Sequence, residues 1–220
     1  KLLQVLIEMN ILIVLAGNPP SKELLKTEIQ TADLVLAVDG GFNTFRKLNL
    51  SPDLVLGDMD SAKAHDVKNV EFKMLPDQGS TDLQKTLQYV FEAHSVNSLT
   101  LLGAGGARTD HLLHNLYLCA LVDETVKVIL KNELSDSEDF SSEIIERITP
   151  SFNFDLSVNK GTVISILPFA VFSGLRSHGL KWEIEGRDSS SGFISQSNVA
   201  IDNDPSFSIE SGYAYIAVYQ

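Results

Sequence analysis

Leu34-Val35-Leu36-Ala37-Val38-Asp39-Gly40-Gly41 and, shortly after it, Leu54-Val55-Leu56-Gly57-Asp58-Met59-Asp60 are the stretches whose reading decides the fold. Each is a short apolar run that does not alternate with polar residues and that ends in glycine and aspartate. Runs of that kind are strands covered on both faces, as in a parallel sheet. Further short β-rich runs recur at Ile11–Ala16, Val70–Leu75, Leu99–Leu102 and Val126–Leu130. Helical patterns separate several of these runs. Ser21 is placed to cap a helix running through Ile29. Thr81 with Gln84 forms a capping-box pattern ahead of Leu83, Leu87, Val90 and Phe91. Asp110 opens a third helix with Leu112, Leu113, Leu116 and Leu121 on one side. Strands alternating with helices predict an α/β domain with a parallel, Rossmann-like sheet.

The texture changes after Leu130. Residues 131–143 are polar and acidic and read as a linker or exposed loop. Short alternating runs with Gly and Ser turns follow at Phe152–Val158, Thr162–Leu167, Phe193–Ser195, Phe207–Glu210 and Tyr213–Tyr219, with no long helix among them. They predict a small antiparallel β domain. The expected division is 1–132 for the α/β domain and 133–220 for the β domain.

The chain has 220 residues, 17 basic and 29 acidic, for a net charge of −12. Such a field repels nucleic acid and anionic membrane, so neither is an expected partner. A phosphate-rich ligand needs something local to reverse it. Cys119 is the sole cysteine. No intrachain disulfide can form, which fits a reducing, cytoplasmic setting, and its apolar neighbours mark an inert core thiol. Lys1–Ala16 is too interrupted by Gln4, Glu8 and Asn10 to read as a secretion signal or a membrane span.

The aspartates carry the chemistry. Asp39, Asp58, Asp60 and Asp110 follow apolar runs, and Asp82 opens a helix. In a parallel sheet the carboxyl ends of the strands share one edge, and ligands bind in the crevice there. Five carboxylates gathered at one edge raise one another's pKa unless a cation neutralises them. Mg²⁺ takes oxygen ligands, commonly one or two carboxylates plus substrate phosphates. In an extended segment Asp58 and Asp60 point to the same side. The plainer reading of any single Asp is a turn or helix cap.

Gly103-Ala104-Gly105-Gly106 lies between a strand and a helix, where backbone amides can approach phosphate. It is neither a Walker loop nor a full dinucleotide fingerprint, and a tight turn explains it equally well. Arg108 adds a group that holds phosphate bidentately. Gln78-Gly79-Ser80-Thr81-Asp82 offers a second helix N-terminus with hydroxyls, and Lys85 stands one turn inside it, where a lone lysine is more often a solvated surface charge. His111 and His114 have the i, i+3 spacing of a zinc pair, without a third ligand.

Taken in order, Asp39-Gly40-Gly41, Gly57-Asp58-Met59-Asp60-Ser61, Asp77-Gln78-Gly79-Ser80-Thr81-Asp82 and Gly105-Gly106-Ala107-Arg108-Thr109-Asp110-His111 through Asn115 resemble the thiamine pyrophosphokinase family. Gly179-Leu180-Lys181-Trp182 with Ser197-Asn198 continues the likeness, and the whole covers roughly residues 11–220. The resemblance implies an N-terminal α/β domain, a C-terminal β-sandwich, a homodimer with thiamine near the subunit interface, and transfer of diphosphate from ATP to thiamine. It makes Asp58, Asp60 and Asp82 the metal ligands, with Asp39 and Asp110 supporting the acidic site. Gln78, Thr81 and Arg108 are expected at ATP, joined by Ser80, Lys85 and His111. Trp182, Ser197 and Asn198 are expected at thiamine, with the Trp182 ring facing a cationic ligand; the residue type alone would equally suit a core tryptophan. Glu183-Ile184 depart from the family pattern, where Pro or Asn and then Leu often follow the aromatic residue. Two other readings stay open on the residues: a Mg²⁺-dependent phosphatase using Asp58 as nucleophile, and a non-enzymatic binding module built on the β domain.

Overall fold

The computed structural model describes residues 8–57, 70–75, 79–106, 108–134, 137–154, 157–167, 169–192 and 195–220. They fold as two compact units, Lys1–Leu118 and Cys119–Gln220.

The first unit is α/β. Its strands are β1 (Glu8–Val14), β2 (Leu34–Val38), β3 (Leu54–Gly57), β4 (Glu71–Met74) and β5 (Ser95–Leu102). They lie in the order β5-β1-β2-β3-β4, and every pairing is parallel. Between them run α1 (Lys22–Thr31), α2 (Phe42–Leu48) and α3 (Asp82–Ala93), and α4 (Thr109–Ala120) leaves β5. The expected caps form: the Ser21 hydroxyl accepts from Leu24 N, and the Thr81 hydroxyl accepts from Gln84 N. α4 opens one residue before the expected Asp110. α2 was not expected from the sequence. It is two turns long, follows a 3₁₀ turn over Asp39–Gly41 and ends on Asn49 in the left-handed region. What holds it is burial: Phe42 and Phe45 join Leu12, Val14, Leu25, Val35 and Val55 in one core cluster. Each such side chain contributes roughly 1.5–3 kcal/mol on leaving water.

The second unit carries β6 (Lys127–Glu133), β7 (Ser142–Ile148), β8 (Val163–Leu167), β9 (Phe172–Ser173), β10 (Leu175–His178), β11 (Glu185–Arg187), β12 (Asn198–Val199), β13 (Ser206–Ser208), β14 (Ser211–Gly212) and β15 (Ala214–Tyr219). Within it the order β12-β8-β15-β7-β6 is antiparallel throughout, as are the small sheets β11-β10-β13 and β14-β9. Ile148, Ile164, Ile166, Ile216 and Val218 from the larger run share one core with Phe172, Leu175 and Phe207 from the small sheets.

Two expectations need correction here. Residues 131–143 are not a plain linker, because β6 continues through Glu133 and β7 begins at Ser142. Their polar side chains pair across the hairpin, with Asn132 Nδ2 donating to Glu143 Oε2 at 3.0 Å. Among its described residues the run Phe152–Val158 forms only isolated bridges, Thr149 with Phe152 and Phe154 with Phe207, although Phe154 and Val158 are buried in the core. Of Phe193–Ser195, residues 193 and 194 lie outside the described set.

The most demanding buried group is Arg147 on β7. Its Nη1 donates to the carbonyls of Cys119 (3.0 Å) and Val122 (2.5 Å), and its Nη2 to those of Asp123 and Val126 (both 2.7 Å). A guanidinium thereby satisfies four main-chain oxygens at the end of α4 and in the turn after it, the terminus where a helix collects negative partial charge. Cys119 is fully buried, and that burial pushes its thiol up to about 12. No helix among the described residues is long and apolar enough to cross a membrane.

Candidate active site

The first unit opens a cleft of about 680 Å³, lined along the loops after β1, β2 and β5 and the first turns of α3 and α4. Its floor is main chain. The β1–β5 ladder continues past both strands: Leu15 N donates to Leu102 O (2.8 Å), Gly17 N to Gly103 O (2.9 Å) and Asn18 N to Gly105 O (2.8 Å). Glycine is required for that approach, since a Cβ on Gly17 would stand 2.3 Å from Gly105 O. Gly103 also has φ of +66°, and its Cβ would stand 2.5 Å from Leu15 O. Asn115 Nδ2 fixes the loop from the helix side by donating to Ala104 O at 2.8 Å. The glycine run therefore does more than expose amides: its carbonyls stitch two loops into one floor.

Asp39 leaves β2 with φ of +43°, in the left-handed region that aspartate tolerates better than most side chains. Its Oδ1 is buried without a hydrogen-bond partner among the described residues. An orphaned carboxylate oxygen in a cleft is costly and fits a site that receives a cation. Among the described residues no group of three or more His, Cys, Asp or Glu stands ready as a metal site. Asp58, Asp60 and Gln78 lie outside the described residues.

Four of the other expected residues form two ion pairs. Lys85 is buried, not a solvated surface charge. Its Nζ meets Asp82 Oδ1 at 2.7 Å and donates to Leu75 O at 3.3 Å. Arg108 holds Asp110 in a fork, Nε to Oδ1 at 3.0 Å and Nη2 to Oδ2 at 2.5 Å. His111 N also donates to Asp110 Oδ1, at 3.0 Å. The side-chain hydrogen bond from Arg108 is the main reason the Asp110 carboxyl sits below its ordinary range, and the same bond raises the guanidinium. Asp39, Ser80, Thr81, Asp82, Lys85, Arg108, Asp110 and His111 thus all line the one cleft. Sequence reasoning left out His114 and Asn115 as site residues, and both line it too. The available signal was helical spacing, because positions 111, 114 and 115 share a face of α4.

Trp182, Ser197 and Asn198 belong to the second unit. Trp182 is 56% exposed, and Lys181 Nζ lies 4.6 Å from the centroid of its ring. Asn198 is 1% exposed and its amide is fully engaged. Oδ1 accepts from Trp182 N (3.2 Å) and Val199 N (2.9 Å), and Nδ2 donates to Trp182 O (2.7 Å) and Ser195 Oγ (3.2 Å). Ser197 has φ of +52°, and its N donates to Ser165 Oγ at 2.9 Å. Glu183, the departure from the family pattern, caps the preceding turn by accepting from Gly179 N (2.8 Å) and Leu180 N (3.1 Å).

A parallel sheet with a charged cleft at the carboxyl ends of its strands defines an α/β protein of the kind that takes its ligand at that edge. Comparison with known proteins narrows the class. The family profile described as thiamin pyrophosphokinase, catalytic domain, matches residues 25–130, and the one described as thiamin pyrophosphokinase, vitamin B1 binding domain, matches residues 150–214. Thiamin pyrophosphokinase 1 of Caenorhabditis elegans is 31% identical over 162 residues, which is 68% of this chain and 64% of that protein's length. Among solved structures, thiamine pyrophosphokinase of Bacillus subtilis superposes with a TM-score of 0.72 at 20% identity, covering 96% of this chain and 99% of that one. Thiamin pyrophosphokinase of Candida albicans gives 0.74 at 16% identity, covering 96% and 89%. This chain belongs to the thiamin pyrophosphokinase family.

Proposed function

We propose that this chain transfers the diphosphate group of ATP to the hydroxyl of thiamine, giving thiamine diphosphate and AMP. The observation that carries the reading is the cleft: Asp39, Thr81, Asp82, Arg108 and Asp110, from three of the four segments that resemble the family, line one space. In the reaction the thiamine oxygen bonds to the β-phosphorus. The bond from that phosphorus to the α–β bridging oxygen breaks, and AMP leaves with the electron pair. A cleft carboxylate accepts the hydroxyl proton. Phosphoryl-type transfer has a loose transition state, so the chain mainly positions groups and offsets charge.

Arg108 is the group best suited to the phosphates. It rests on Asp110 in a two-point contact that phosphate oxygens can replace. Ser80, Thr81, Gln78 and His111 complete the ATP side in this reading. Lys85 acts through Asp82, which it holds. Asp58, Asp60 and Asp82 are the residues that would hold Mg²⁺, and the unpartnered oxygen of Asp39 supports a cation in the same cleft. The metal, when bound, neutralises charge on the phosphates.

On the thiamine side Trp182 offers its ring, with Ser197 and Asn198 shaping the turn beside it. The reading gives ATP to residues 1–132 and thiamine to a β-sandwich over 133–220, supported by the core that the antiparallel sheets share. It includes a homodimer with thiamine near the subunit interface, and a cytoplasmic location in keeping with a single buried thiol. Incubation with ATP, Mg²⁺ and thiamine, followed by chromatography, tests it. Equal yields of thiamine diphosphate and AMP are expected; release of inorganic phosphate without thiamine diphosphate would overturn it in favour of a phosphatase.

A further inference from the structure

Thr81 and His114 line the same cleft from two different helices, and Thr81 Oγ1 lies 3.3 Å from His114 Nε2. The Thr81 hydroxyl is already the N-cap of α3, where it accepts from Gln84 N at 3.4 Å. A hydroxyl has one hydrogen and two acceptor positions, so one acceptor position and the hydrogen remain. The His114 ring is half-buried, and Tyr117 lies beside it with the ring centroids 6.3 Å apart and the planes 33° apart.

The direction of the Thr81–His114 bond decides what Thr81 offers a ligand. If Nε2 is bare, it takes the hydroxyl hydrogen, and Thr81 shows the cleft a lone pair. If Nε2 carries hydrogen, it fills the second acceptor position, and the hydroxyl hydrogen is free to point into the cleft. Phosphate oxygens are strong acceptors, so Thr81 adds a hydrogen bond to a polyphosphate only in the second arrangement. We infer that His114 is a positioning residue for the polyphosphate, acting by donating from Nε2 to Thr81 and turning the Thr81 hydroxyl toward the ligand. This rests on the ATP reading of the cleft. The role follows from the contact between α3 and α4, and the zinc-pair spacing with His111 plays no part in it.

The test measures the KM for ATP with Mg²⁺ and thiamine saturating, and the Kd for Mg·ATP by calorimetry. His114→Ala should raise both about five-fold, the equivalent of one net hydrogen bond of about 1 kcal/mol, with kcat changed less than about two-fold. His114→Gln carries an amide N–H close to the Nε2 position and should restore both values to within about two-fold. His114→Asn places its amide one bond short and should not. In a Thr81→Val background, His114→Ala should add almost nothing. A glutamine variant as weak as the alanine variant would overturn the inference, as would an alanine effect that persists in full beside Thr81→Val. The glutamine–alanine comparison stands even if Thr81→Val, which also loses a helix cap, does not fold. A wild-type chain that fails to bind Mg·ATP would refute the ATP reading itself; wild-type binding that His114→Ala leaves unchanged would refute only the role of His114.

Discussion

Replacing Asn198 with alanine separates a ligand contact from a structural brace. The side chain is 1% exposed and makes four hydrogen bonds between 2.7 and 3.2 Å. Alanine would strand the N–H and C=O of Trp182 and the N–H of Val199, while the Ser195 hydroxyl can turn to water. At about 1 kcal/mol for each stranded group, the loss is about 3 kcal/mol, a large share of the roughly 5–15 kcal/mol typical of a folded protein. Trp182 is the only tryptophan, so its emission during urea unfolding reports directly on this region. With a slope of about 2 kcal/mol per molar urea, the midpoint should fall by about 1.5 M. Asn198→Asp is a sharper version. It keeps the acceptor for the two N–H groups but sets an oxygen against the Trp182 carbonyl, and it should be destabilised at least as much. A variant within about 0.5 kcal/mol of the parent, with only the KM for thiamine raised, would refute the brace and restore Asn198 to direct contact with the substrate.

Arg147→Met should lower stability by about 3–5 kcal/mol in denaturant titration, and Arg147→Lys should not rescue it, because one ammonium cannot reproduce a fork serving four carbonyls. The raised thiol of Cys119 means that its thiolate is scarce at every pH below about 12. A thiol-specific chromophore at pH 8 should therefore give no signal from the folded chain and one equivalent after denaturation. Lys181→Met should tighten thiamine binding, read as quenching of Trp182 emission, by about two- to five-fold, because it removes a cation that competes for the ring at an exposed site; unchanged binding would place thiamine elsewhere.

β2, β3 and the buried halves of β1 and β5 were legible because parallel strands covered on both faces leave apolar runs, whereas β4 at the sheet edge is largely exposed and carries Glu71 and Lys73; the caps at Ser21 and Thr81 were legible because their chemistry is local. α2 was not legible. Two turns following Gly40-Gly41 carry little helical signal, and what fixes them is the tertiary burial of Phe42 and Phe45. The β6–β7 hairpin was hidden by its charges, which read as a loop until their cross-strand partners are seen. At the site, side-chain type and position along the chain were enough to bring eight of the described residues to one cleft, but not to say who holds whom. Lys85 looked like a free cation and is the brace of Asp82. Asn198 was expected at thiamine, and its amide also braces the turn through three main-chain bonds and one to the Ser195 hydroxyl. Pairings of that kind depend on distances between segments far apart in sequence, which no local pattern encodes.

The stitched loops under the cleft bear on how this protein tolerates change. Three peptide-to-peptide bonds set the height of that shelf, and the Asn115 amide holds it from the helix side. Substitutions at Gly17 or Gly103 would therefore abolish activity by lifting one loop off the other, although neither residue has a side chain with which to touch a substrate. A saturation library scored on turnover alone would mistake both for reactive positions, and only a parallel screen for folded protein would tell architecture from chemistry.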